Sequence, residues 1–281
     1  MVHVQKINAK NNKKVGWGYN PGAPYAIEMQ LGGWTNFKSF VKAANERGMA
    51  VYMDIVWNHM DPSGGTIQLY DGYSYTLSEY NGGSTPQGGI YYYANQNAQS
   101  PWGPRVNYGN LDVRNYVIGS VVSQMKELHV SGFRWDSTVC IRKGGNACWN
   151  EQDENEEGVT LLQEANDVIH RLGGFSIAED LQDDVDVSEP TNQGGLGLDE
   201  QWSDTTWYNL QQLLVPQSDT ARNIALFQQT LECNWCSSGC MTAPSASSTP
   251  KIMINRSFLL IVYYLFTLLD HQHHHAHYHY N

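Results

Sequence analysis

Basic residues are scarce in this chain. Seventeen Lys and Arg stand against 28 Asp and Glu, a formal net charge of −11 over 281 residues. So few cations cannot neutralise many phosphates, and nucleic acid is not an expected partner. Charged residues of both signs reach only 16%, which is compatible with a neutral substrate. No apolar stretch follows Met1, so no signal peptide is expected and the cytoplasm is the expected compartment. Cysteine is sparse and odd in number. Cys140 and Cys148 share one loop, while Cys233, Cys236 and Cys240 form a second cluster. No complete disulfide framework can be read from this, and a reduced compartment is the default. A Gly-rich phosphate loop is also missing after the first apolar run, which weakens a nucleotide-binding reading.

What is plentiful is aromatic: 9 Trp and 17 Tyr. Most of these rings are expected to fill a core, but π faces also suit the axial C–H groups of sugars.

Three regions follow from patterning. Residues 1–14 are polar and aperiodic and are expected to be a disordered start. Residues 15–232 alternate short apolar runs with helical periodicity. Residues 233–281 change character abruptly. In the middle region, residues 50–56, 131–136, 174–179 and 196–202 read as buried parallel strands. Between them run helices. Thr35 is expected to cap the first, with Phe37, Phe40, Val41 and Ala44 on one face and Gly48 as its stop. Asp112 is expected to cap the second, with Val117, Val121, Met125 and Leu128 inward. The third spans about 159–172, with Leu162, Ala165, Ile169 and Leu172 inward. Further helical patterns lie at 203–214 and 219–231.

Repeated strand-helix units make an α/β fold with a parallel sheet. It can close as an open doubly wound sheet or as a (β/α)₈ barrel. Asp54, Asp136 and Glu179 recur at the C-terminal ends of strands, where barrels place their chemistry. The segment 60–110, rich in Gly, Tyr and Asn, reads as a long excursion or small subdomain over that end. Two carboxyl groups at neighbouring strand ends suit glycoside cleavage, one attacking the anomeric carbon and one exchanging protons with the leaving and entering oxygens. Arg134, two residues before Asp136 on one strand, points to the same side and would keep Asp136 ionised.

Three segments together resemble the α-amylase family. They are Asp54-Ile55-Val56-Trp57-Asn58-His59, Gly132-Phe133-Arg134-Trp135-Asp136 and Ile177-Ala178-Glu179-Asp180, in the family's order. Gly16-Trp17-Gly18-Tyr19-Asn20-Pro21, Pro101-Trp102-Gly103-Pro104 and Gly197-Leu198-Asp199-Glu200-Gln201-Trp202 are similar to the 1,4-α-glucan branching side of that family. The resemblance, over about residues 15–230, implies an incomplete (β/α)₈ barrel with its long loop after the third strand. It implies a retaining double displacement on α-1,4-glucan that forms α-1,6 branches, with Asp136 as nucleophile and Glu179 as acid/base. Arg134 would orient Asp136, while Asp54 and Asn58 would support the strand ends. His59 would hydrogen-bond the sugar and Tyr19 would stack on it. An α-amylase-type hydrolase and an inactive glucan-binding fragment are the alternatives. No cofactor is implied. Asn58 matches a calcium-binding position of many amylases, but the branching-type resemblance does not favour that ion.

The family's fourth block, a His-Asp pair, is missing; Asp270-His271 has it reversed. With the barrel's first strands also missing, the resemblance implies a fragment with exposed sheet edges, poor folding in isolation and little or no activity. The three tail clusters admit other readings: zinc at the Cys trio, a membrane anchor at 257–269, a metal tract at 271–279. Non-native read-through accounts for all three at once and is the expectation here, so no membrane partner is expected either.

Overall fold

Short runs rich in β-branched and aromatic residues extend, and the amphipathic stretches between them coil. The computed structural model describes residues 3–5, 17–61, 67, 70, 71, 78–80, 83–85, 88–145, 148, 154–215, 218, 220 and 223–226. In chain order its elements are β1 (His3–Gln5), β2 (Pro21–Ile27), α1 (Gly33–Asn45), β3 (Tyr52–Ile55), β4 (Ser78–Tyr80), β5 (Gly83–Thr85), α2 (Leu111–Leu128), β6 (Gly132–Trp135), α3 (Val139–Arg142), α4 (Glu156–Arg171), β7 (Phe175–Ala178), β8 (Glu200–Gln201) and α5 (Asp204–Leu214). The chain divides into two compact units, Met1–Asp204 and Thr205–Asn281. The carboxylates belong to the first. In the second, α5 runs on to Leu214 and residues 224–226 are helical. Cys233, Cys236, Cys240, Asp270 and the runs 257–269 and 271–279 lie outside the described residues.

The central sheet has the order β3-β6-β7-β8, and every pairing is parallel. Parallel neighbours require crossovers, which α2 supplies between β3 and β6 and α4 between β6 and β7. Register carries the consequence. Ile55 lies opposite Trp135 and Trp135 opposite Ala178. Asp136 and Glu179 therefore each stand one residue beyond adjacent strand ends. Gly132 permits this closeness: a Cβ there would run into the Phe175 carbonyl.

The helices bury the expected stripes with corrected edges. Val117, Val121, Met125 and Leu128 of α2 and Leu162, Ala165 and Ile169 of α4 pack with Met53, Ile55, Phe133 and Trp135 in one core. Each Val, Leu, Ile, Met or Phe among them contributes about 1.5–3 kcal/mol when fully buried. Leu172, expected to face inward, lies beyond the helix end and is partly exposed. α1 begins behind Gly32, not Thr35, because a left-handed Gly32 (φ 104°) ends the preceding 3-10 turn Met29–Leu31 and starts the helix. Phe40 is 58% exposed, leaving Val41 and Ala44 as the buried face. The cap of α2 is Asn110, whose side chain accepts the Asp112 N–H at 2.8 Å; Asp112 itself lies in the first turn. α4 begins earlier than expected, with Glu156 and Glu157 in its first turn, where the helix dipole favours anions. The strand expected over 196–202 forms only at Glu200–Gln201. Upstream, Leu196 and Leu198 donate their N–H groups to Asp186 and Val187 in a 3-10 turn rather than to a strand.

The excursion after β3 carries the hairpin β4–β5 and is tied back by Arg105. This fully buried guanidinium donates to the carbonyls of Asn97, Gln99, Cys140, Lys143 and Gly145. Cys140 and Cys148, left unpaired by the sequence reading, are joined in a disulfide. At the other end, His3–Gln5 pairs antiparallel with β2.

Candidate active site

Side chains on one face of a strand recur every second residue, so Arg134 and Asp136 project together. Arg134, 8% exposed, meets three acids. Its Nη1 lies 2.7 Å from Asp54 Oδ1 and 2.6 Å from Asp136 Oδ1, and its Nη2 lies 2.6 Å from Glu179 Oε2. The Tyr19 hydroxyl donates to Asp54 Oδ2 at 2.9 Å. The guanidinium carbon sits 4.2 Å from the centre of the Trp202 ring and 6.0 Å from that of Tyr19. A planar, permanently charged fork is suited to bridging carboxylates and stacking on a ring at once.

The ends of the strands are fixed by backbone. Asp136 N–H donates to Ile55 O, Glu179 N–H to Trp135 O and Thr138 N–H to Glu179 O, all at 2.9–3.0 Å. Glu179 Oε2 also accepts the Ser137 N–H at 2.9 Å. Ser137 adopts a positive φ of 41°, a conformation uncommon for a non-glycine and often found where a site is pre-organised.

Three carboxylates and one cation cannot all ionise cheaply in a buried cluster. Burial pushes Glu179 up to about 7, aided by the charges of Asp136 and Asp54 and opposed by Arg134 and the Ser137 N–H. Burial likewise raises Asp54, against the pull of Arg134. Burial alone would lower Arg134, but the three acids around it override that and hold it firmly protonated. Burial and Asp54 keep Tyr19 protonated well above its ordinary range. The arrangement thus holds one carboxyl that carries its proton near neutral pH beside others that balance a fixed cation.

Asn58 and His59 lie just past β3. Both are buried, and among the described residues neither polar atom of the Asn58 amide has a hydrogen-bond partner, while the His59 ring lies against the Tyr19 backbone. Burial lowers His59 to about 4, with weaker opposition from the Tyr19 backbone and Asp61, so the ring is neutral at physiological pH. A buried polar atom left unpaired costs about 1–3 kcal/mol, and a polar ligand would relieve that.

All of Tyr19, Asp54, Arg134, Asp136 and Glu179 therefore meet, with Asn58 and His59 beside them but not bonded to the acids. Sequence reasoning missed the stacking of Trp202 on Arg134. The signal was present, an aromatic residue just past the next strand. It also passed over Asp180. This fully buried acid accepts from Arg142 Nε at 2.9 Å and Nη2 at 2.6 Å and from the Thr138 hydroxyl at 2.9 Å. Arg142 Nη1 reaches on to Asp184 at 2.9 Å. That network ties α3 to the residue following Glu179.

No family profile matches the chain. Curated relatives do. The 1,4-alpha-glucan branching enzyme GlgB of Prochlorococcus marinus (strain MIT 9303) is 31% identical over 198 residues, 66% of this chain and 24% of that protein. The enzyme of the same name from Myxococcus xanthus (strain DK1622) is 30% identical over 214 residues, 72% of this chain and 27% of that one. The chain spans about a quarter of the length of these relatives. Among solved structures, the alpha-amylase of Geobacillus thermoleovorans, complexed with acarbose, superposes with a TM-score of 0.55 at 18% identity, over 78% of this chain and 44% of that one. A noncanonic maltogenic alpha-amylase, AmyB of Thermotoga neapolitana, superposes with a TM-score of 0.54 at 18% identity, over 83% and 45%. At that identity the likeness speaks to the barrel fold. Sequence relatives, parallel sheet and strand-end acids agree, and the chain belongs to the α-amylase family of glycosidase barrels, most like its 1,4-α-glucan branching enzymes.

Proposed function

We propose that this chain acts on α-1,4-glucan by a retaining double displacement and passes the severed chain to a 6-hydroxyl. The observation that carries the reading is the single Arg134 guanidinium bridging Asp136 and Glu179 while Glu179 is pushed up to about 7. One guanidinium reaching both carboxyl groups supports the retaining reading, in which the pair stands about 5–5.5 Å apart, over the inverting one at about 6.5–9.5 Å.

In the first step an Asp136 oxygen attacks the anomeric carbon as the glycosidic C–O bond breaks, and Glu179 gives its proton to the departing oxygen. Arg134 holds the Asp136 carboxyl in place through the 2.6 Å contact to Oδ1. The product is a glucosyl ester on Asp136. In the second step the ionised Glu179 takes the proton of an incoming 6-hydroxyl, whose oxygen attacks the anomeric carbon and expels Asp136. Neutral His59 and Asn58 offer donors and acceptors to the sugar hydroxyls, and Tyr19 offers a ring face. Water entering in place of the 6-hydroxyl would give hydrolysis with the same two carboxyls, so identity of the acceptor is read from products.

The test is amylose incubated with the full chain and followed by proton NMR. Growth of α-1,6 anomeric signals without a matching rise in reducing ends is expected. Glu179→Gln is expected to slow the reaction about 10²–10⁴-fold, the usual loss on removing a general acid/base. Reducing ends without α-1,6 linkages would replace the branching reading with hydrolysis. Glucan binding with neither product would leave a binding protein.

A further inference from the structure

The turn at residues 99–104 is held more tightly than an exposed loop requires. Ser100 N–H donates to Gly103 O at 2.9 Å. The Ser100 hydroxyl accepts the N–H groups of Trp102 and Gly103 at 3.2 and 3.3 Å. Gln99 and Pro104 form an isolated bridge, and the Pro104 carbonyl accepts the Met60 N–H at 2.9 Å. That last bond fastens the turn to the residue after His59. The result is a rigid mount for Trp102, which nonetheless stays 43% exposed. Its ring centre lies 5.9 Å from that of His59, tilted by 39°.

From Trp102 a contiguous path leads to the acids. His59 neighbours the Tyr19 backbone, the Tyr19 hydroxyl binds Asp54, and Asp54 pairs with Arg134. A large apolar face kept partly in water, beside a buried imidazole and a buried Asn58 amide with no hydrogen-bond partner among the described residues, is costly for folding alone. It is well suited to a ligand that offers C–H faces and hydroxyls together. A glucosyl ring is such a ligand.

We infer that Trp102 is a stacking platform for a glucosyl unit of the bound glucan next to the carboxylate cluster. It sets affinity for the chain rather than the rate of bond exchange. This rests on the α-glucan reading above.

The test uses maltoheptaose and the full chain, with Trp102→Ala and Trp102→Phe. Titration calorimetry gives affinity, amylose kinetics give KM and kcat separately, and thermal melting gives stability. Loss of one stacking contact is worth about a tenfold change in affinity. Trp102→Ala is therefore expected to weaken maltoheptaose binding and raise KM by about that factor. Its kcat and melting temperature should stay close to wild type, and Trp102→Phe should retain most of the affinity. Unchanged affinity in Trp102→Ala overturns the platform while the glucan reading stands. Equal losses in both variants, with a lower melting temperature or lower kcat, show a prop for His59 and also overturn it. A wild-type chain that binds no maltoheptaose overturns this inference and the glucan reading together.

Discussion

In the proposed mechanism the chemistry turns on Glu179, because its proton is needed in one step and its vacancy in the next. Its carboxyl is pushed up to about 7 chiefly by burial. The proposed first step needs Glu179 protonated, so kcat/KM is expected to fall as pH rises through about 7, and a pH–rate profile checks this. The same shift has a stability consequence of definite sign. A carboxyl whose folded value exceeds its unfolded one stabilises the fold fully below the unfolded value, about 4.3, and loses that contribution as pH rises through about 7. Glu179→Gln, which cannot ionise, is expected to melt higher than wild type at pH 8, with the gap closing toward pH 4. A gap that widens on acidification would contradict the assignment. Much of this cluster was legible in sequence, since Arg134 and Asp136 share a strand face by simple alternation. The coupling of Asp54 and Tyr19 to Arg134 depends on sheet register between distant segments, and so does the Trp202 stack. Spacing along the chain does not encode either.

Elements were read best where burial enforces a period. The α2 stripe came through intact because an 18-residue helix against a sheet leaves little choice of face. Helix starts were read less well. Gly32, Asn110 and the early turn of α4 each win by backbone geometry or by a single side-chain hydrogen bond that neighbouring candidates could equally have made. The strand around Gly132 makes a close contact between elements. Gly132→Ala would push a methyl group into the Phe175 carbonyl. It is expected to destabilise by about 1–3 kcal/mol or more, the cost of overpacking, in a denaturant titration. The disulfide was hidden for a similar reason, since pairing depends on how α3 folds back. Cys140→Ser opens a loop with a sequence separation of 8. A loop-entropy argument puts the loss at about 2–3 kcal/mol, measured against wild type under non-reducing conditions.

At the scale of the whole molecule, repeated strand-helix units pointed to an α/β fold with a parallel sheet, and the choice of a barrel over an open sheet came from the family resemblance of the strand-end segments. The described sheet ends with β3 on one side and β8 on the other, and β2 pairs with β1 instead of joining it. That antiparallel pairing has no counterpart in hydrophobic patterning. Among the described residues no helix is long and apolar enough to cross a membrane. The central claim concerns neither sheet edges nor tail but one bond, the glucosyl ester on Asp136. The most direct measurement pairs Glu179→Gln with α-maltosyl fluoride. Fluoride leaves without an acid, so the first step proceeds, while the missing base slows the second and the ester accumulates. Peptide mass spectrometry should then find a maltosyl adduct on Asp136, abolished by a further Asp136→Asn change. An adduct on Asp54 or any other residue, or none at all while fluoride is released, would contradict the account.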